Sequence, residues 1–261
     1  MAVLALARMT FADGLRQPLT WLAAGLGVAL ITLSYLFGMF NFENQDRLRM
    51  LCTAGVAVSV VTSLFLAVLG SSTAIHDELA SRTALTLFAK PVSRGSYLVG
   101  KTLGIWLVVV MVATVLAAAH AVALAIAVYT QFEDITDDHH HGSGDELWVP
   151  WGRVIAAHLL GMAHSAVLTC VAAVLALRLP LIANILACFA LFILGHLLPG
   201  LDMMGAIVVP ALALFNVDDS LQLMGQTLSW TYCMFSFIYA SLFCAGTVLL
   251  GLATFARQDI P

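Results

Sequence analysis

Several side chains in this chain have the types and spacing that chemistry needs. The eight residues from Gly95 to Thr102, GSYLVGKT, satisfy G-x-x-x-x-G-K-[ST] at every fixed position, the signature of a phosphate-cradling loop. Such a loop needs a preceding strand, small residues whose amides can approach phosphate, and a soluble α/β domain behind it. Here the insert is bulky Tyr97-Leu98-Val99 and the sequence runs on into IWLVVVMV, so the expectation is a helix start and no nucleotide site in this chain. His139, His140 and His141 stand among Asp137, Asp138, Asp145 and Glu146; adjacent imidazoles of this kind can hold Zn²⁺ or Cu²⁺, and these three are the candidate metal ligands. His120, His158, His164 and His196 fall inside apolar runs, where an ionisable side chain is a functional candidate by default and axial haem ligation its specific form. No paired pattern of these histidines on two helices is evident, so hydrogen bonding between helices by neutral imidazole is the simpler expectation. The five cysteines lie singly in apolar runs with no C-x-x-C spacing, which argues for small buried residues and against disulfides or a thiolate site. No hydrolytic constellation emerges, so no catalytic residue is assigned.

The elements that must position these residues are membrane spans. Hydrophobic residues make up 61% of the 261 positions and charged residues 10%, and the mean hydropathy is +0.98. A soluble domain needs more charge to cover its surface. About twenty apolar residues cross a bilayer as a helix, and runs of that order lie at about 18–40, 50–69, 102–129, 152–177, 181–198 and 228–255. Residues 1–16 are too short and charged to span; Leu4, Ala7, Phe11 and Leu15 share one helical face, which predicts an interfacial helix. The first long apolar run starts only at Pro18 and has a spanning length, which argues against a secretory signal. Residues 203–217 are apolar but short and interrupted by Pro210, which predicts a re-entrant segment satisfied by surrounding protein.

Six spans place both ends on one side, and the charges divide accordingly. Eight of the eleven Lys and Arg residues then lie with the termini, against four acids, while three cations face eleven acids on the other side. Lys and Arg favour the cytoplasm, so both termini and the segment 75–101 are expected there. A seventh span through 203–217 is the competing topology.

That segment, IHDELASRTALTLFAKPVSRGSYLVGK, carries four cations. Ile75, Leu79, Ala84 and Phe88 mark one face of a short helix, with Glu78 and Arg82 spaced four apart for a side-chain pair. Pro91 ends it and biases Lys90 away from helical angles. Ser93 is then positioned to cap the next helix. The residues predict an amphipathic helix, an elbow and a basic helix start, contacting either anionic lipid or a cytoplasmic partner.

The run from Glu78 to Gly104 resembles the cytoplasmic segment of type-2 ABC transporter permeases. The matching residues are Glu78, Thr83, Leu87, Lys90, Pro91, Val92, Ser93, Arg94, Gly100, Lys101 and Gly104, and the closing FARQDIP is similar to the short Arg-Asp terminus of that family. Arg82 stands where the family usually has glycine. The subgroup it most resembles includes the permease of the nitrous-oxide-reductase maturation exporter. The resemblance implies a single all-α integral membrane domain over 1–261, with six transmembrane helices, an N-terminal interfacial helix, a cytoplasmic coupling helix and a re-entrant segment before the last helix. It implies a second permease copy and separate cytoplasmic ATPase subunits that hydrolyse the ATP, no cofactor in this chain, and residence in the inner (plasma) membrane. Asp77, Glu78, Arg82, Thr83, Lys90, Pro91, Ser93 and Arg94 would couple to the ATPase. Two other classes are a redox or metal-handling protein using the histidines, and a membrane scaffold that transports nothing. Nothing suggests nucleic-acid binding.

Overall fold

Apolar runs of spanning length leave the backbone no partners but its own, so each is expected to close into a helix. The computed structural model describes residues 2–37, 44–80, 93–130, 132, 147–197, 209–218, 221 and 228–256, and among them every regular element is helical. In chain order these are α1 (Ala2–Arg16), α2 (Pro18–Phe37), α3 (Asn44–Ala80), α4 (Arg94–Thr130), α5 (Trp151–Ala176), α6 (Leu181–Leu197), a 3₁₀ turn (Leu212–Phe215) and α7 (Trp230–Ala256). Five of them, α2, α3, α4, α5 and α7, are long and apolar enough to cross a membrane. The 17 residues of α6 fall just short of that measure.

The innermost helix is α5, packed on α3, α4, α6 and α7, whereas α2 and α7 leave most of their apolar surface uncovered. Several threonine hydroxyls inside the spans return to their own helices: Thr73 donates to Leu69 O at 2.8 Å and Thr114 to Val110 O at 2.7 Å. One buried amide does bridge helices. Asn184 on α6 donates to Ser72 Oγ on α3 at 2.9 Å and to Ala172 O on α5 at 3.1 Å. A tight turn at Arg178–Pro180 joins α5 to α6, with Leu179 N–H on Leu175 O at 2.9 Å, and Arg178 reaches Thr254 O on α7 at 3.1 Å.

Three expectations change. The second span does not end before Ile75: α3 continues unbroken to Ala80, so Ile75–Ala80 is the end of a long rod. The third span likewise begins at Arg94, well before Thr102. On α1 the buried residues are Leu6, Ala7 and Thr10, while Leu4 is 72% exposed. The reason is a pair of glycines across the contact. A Cβ on Gly100 would stand 2.7 Å from Leu6 Cβ, and one on Gly104 would stand 2.7 Å from Ala7 O. Hydropathy along α1 alone cannot register a groove on another helix.

Of residues 203–217, the described part from 209 onward tucks inward. Leu212 and Phe215 are buried, Ala211 N–H donates to Tyr239 Oη at 2.7 Å, and Tyr232 Oη donates to Leu214 O at 2.6 Å.

Candidate functional site

The end of α3 and the start of α4 flank residues 81–92, and the two helices meet through a small polar junction. Ser93 forms the expected cap: its Oγ accepts from Ser96 N–H at 3.1 Å, satisfying one of the amides that a helix start leaves open. One turn further, Tyr97 is fully buried, and its hydroxyl donates to Glu78 Oε2 at 2.8 Å. Lys101, with a side chain only 5% exposed, donates its ammonium to Glu78 Oε1. A carboxylate at the end of one rod is therefore held by two donors from the next.

Below this junction lies a separate apolar cluster. Ile75, Tyr97 and Leu98 pack on Ala173, Ala176 and Leu177, so the α3–α4 junction also bears on α5. On its other side, a cleft of about 200 Å³ separates α1 from α3 and α4. Asp13, Asp77, Glu78, Lys101 and Thr10 line it.

The phosphate-loop spelling is resolved by the same geometry. Gly95 to Thr102 lies wholly within α4, and from the second turn on the helix uses its amides internally. Its lysine is committed to Glu78 and its final threonine donates to Leu98 O at 2.8 Å.

Of the eight residues assigned to coupling, Asp77, Glu78, Ser93 and Arg94 are brought to the two rod ends. Arg82, Thr83, Lys90 and Pro91 lie outside the described residues, so the Glu78–Arg82 spacing has no structural counterpart to weigh. Sequence reasoning missed Tyr97 and Lys101 as partners of Glu78. A signal was available: in a hairpin of two rods, positions at similar distance from the Lys90–Pro91 elbow come side by side, and Glu78 and Lys101 meet that condition.

The histidines within the spans do pair across helices, a pattern the sequence did not show, through the interhelical hydrogen bonding that was expected of them. His120 Nδ1 on α4 lies 2.9 Å from His158 Nε2 on α5, and His120 Nε2 lies 3.0 Å from Leu51 O on α3. A carbonyl only accepts, so His120 Nε2 carries the proton, and a neutral ring then accepts at Nδ1 from His158. Both nitrogens of His120 are occupied, which leaves none for a metal. His164 and His196 form a second pair, edge to face at 5.6 Å between ring centres. Spacing within one helix cannot reveal a partner on another, which is why the pairs were not foreseen. Among the described residues no group of three or more His, Cys, Asp or Glu could hold a metal ion. His139, His140 and His141 lie outside them. The described cysteines are all unbridged.

Residues 4–139 match the ABC-2 family transporter protein family. The chain belongs to that family. The matched stretch is more than half of the chain and includes α1 to α4 with the Glu78–Lys101 junction. It supports a multi-pass membrane permease of an ABC transporter, a class that works with partner ATPase subunits and is generally not itself catalytic. It does not extend to the nitrous-oxide-reductase maturation exporter. No curated protein matches the chain significantly.

Proposed function

We propose that this ABC-2 permease is the transmembrane subunit of an ATP-driven exporter, that two copies form the pathway, and that separate ATPase subunits engage it through residues 75–101. The observation that carries the coupling role is the Glu78–Tyr97–Lys101 junction. It fastens the rods on both sides of the elbow to each other, so a push on residues 81–92 moves α3 and α4 together and bears on α5 through Ile75, Tyr97 and Leu98. Lys90 and Arg94 meet lipid or the ATPase, and Glu78 with Arg82 orients the elbow. ATP binds and is hydrolysed in the partner.

Six spans, with α6 as the fifth and both termini in the cytoplasm of the inner (plasma) membrane, fit the charge distribution. The inward-tucked Leu212–Phe215 turn supports the re-entrant reading of 203–217 over a seventh span.

The test is the ATPase rate of the purified complex with whichever soluble ATPase co-purifies. Lys101→Met and Glu78→Gln are expected to retain the partner but lower substrate-stimulated hydrolysis at least several-fold. Unchanged stimulation in both variants, or in a charge-reversed Glu78/Arg82 pair, removes the coupling role. A partner whose activity is indifferent to the presence of this chain favours the scaffold reading.

A further inference from the structure

The two histidine pairs differ in what their nitrogens do. Both nitrogens of His120 are taken. His164, about halfway along α5, is only 2% exposed, and its Nε2 is buried with no hydrogen-bond partner. Buried polar atoms are paired almost everywhere in folded proteins, so an orphan this deep points to a ligand. Beside it, near the end of α6, stands His196, half-buried, with Nδ1 2.9 Å from Phe192 O. A carbonyl only accepts, so that Nδ1 carries the proton and Nε2 of the neutral ring keeps a lone pair. Among the described residues nothing else binds that Nε2. Metal-bound histidines are built this way: one nitrogen donates to a backbone carbonyl and the other is left for the ion.

The separation of the rings fits an ion between them. A metal stands about 2.0–2.1 Å from an imidazole nitrogen, which puts the centres of two rings sharing one ion about 5–6.5 Å apart. The centres of His164 and His196 are 5.6 Å apart. The surroundings then choose the ion. No Asp, Glu, Lys or Arg occurs in α5 after Arg153, in α6 or in the Leu212–Phe215 turn. A buried charge without a counter-charge costs more as the square of its size, so a monovalent ion is favoured over a divalent one. Zn²⁺ also takes four ligands, and among the described residues no group of three His, Cys, Asp or Glu is gathered for a metal. A filled-shell monovalent ion, Cu⁺ or Ag⁺, is satisfied by two, and copper accepts imidazole. The rings of Phe192 and Phe215 are centred 5.6 and 5.8 Å from that of His164. Aromatic neighbours of this kind attract a cation where water is excluded.

We propose that His164 and His196 form a binding site for one monovalent soft metal ion, Cu⁺ or its redox-inert analogue Ag⁺, held through Nε2 of each ring between α5, α6 and the inward turn. The site goes beyond the transport reading and does not depend on an ATPase.

The experiment uses the full chain in detergent, free of any histidine tag, with one equivalent of Cu⁺ added anaerobically. A companion carrying His139→Ala, His140→Ala and His141→Ala removes the outer histidine run as a source of ligands. X-ray absorption at the copper edge is expected to show, in both proteins, two nitrogen neighbours at about 2.0 Å and no sulfur at about 2.3 Å. Competition against a Cu⁺ chelator is expected to show affinity at least about tenfold lower in His164→Phe and in His196→Phe. His196→Met supplies a thioether that Cu⁺ accepts. That variant is expected to keep the ion and exchange one nitrogen neighbour for sulfur, an outcome that no purely structural role for His196 produces. A parent that retains no copper overturns the site, as does a sulfur-only shell, which would place the ion on the cysteines. So does a nitrogen shell that disappears in the companion, or one that survives His164→Phe and His196→Phe unchanged.

Discussion

Glu78 is three-quarters buried, and the ammonium that faces it is almost wholly so. Taking such charges from water costs several kcal/mol each, and the pair recovers it only because Tyr97 supplies a further donor. Removing one member leaves the other charge stranded, an effect of about 3–5 kcal/mol in buried pairs. Lys101→Met is therefore expected to lower the unfolding midpoint in detergent clearly, and Lys101→Met with Glu78→Met to recover part of the loss. A single variant as stable as the parent would show that the contact carries no net energy. What was legible beforehand was a contact whose partner lies on the same helix, Ser93 as a cap. The observed partners of Glu78 were not. An i,i+4 neighbour is visible in a linear pattern, but Tyr97 and Lys101 reach Glu78 only after two helices fold back on each other. The His120–His158 contact was hidden for the same reason.

Among the elements, spans followed directly from composition, because a bilayer admits few alternatives to a helix of given length. Their ends did not follow. Ile75–Ala80 looks like a new amphipathic helix, yet nothing in it breaks the one before. Surface contact between elements was least legible of all, since glycine contributes nothing to an apolar face and everything to how closely another helix approaches. Gly104 makes this testable. A valine there would drive its side chain into Ala7 O and Thr10 on α1. Overpacking of this kind costs about 1–3 kcal/mol where neighbours shift, and the neighbour free to shift is α1. Gly104→Val is expected to detach α1, measured as faster labelling of a cysteine placed at Ala7, with the spans retained. Labelling as slow as in the parent would mean that α1 is held by something other than this contact.

For the whole molecule, the charge split is what argues for both termini in the cytoplasm, and the proposed topology has a direct readout. A reporter active only in the cytoplasm, fused after residue 261, is expected to work, and the same reporter inserted within residues 133–146 is not. A silent C-terminal fusion would favour seven spans. The outermost helices α2 and α7 keep large apolar faces, which lipid and a second copy of the chain would divide between them.

Each of α3 and α4 has 37 residues, about 55 Å of helix, in a membrane whose hydrocarbon is about 30 Å thick. At Gly55 on α3 the His120 ring of α4 occupies the space of the missing Cβ. About 25 Å of each rod can therefore stand clear of the hydrocarbon, enough to hold the Glu78–Lys101 junction outside the apolar layer.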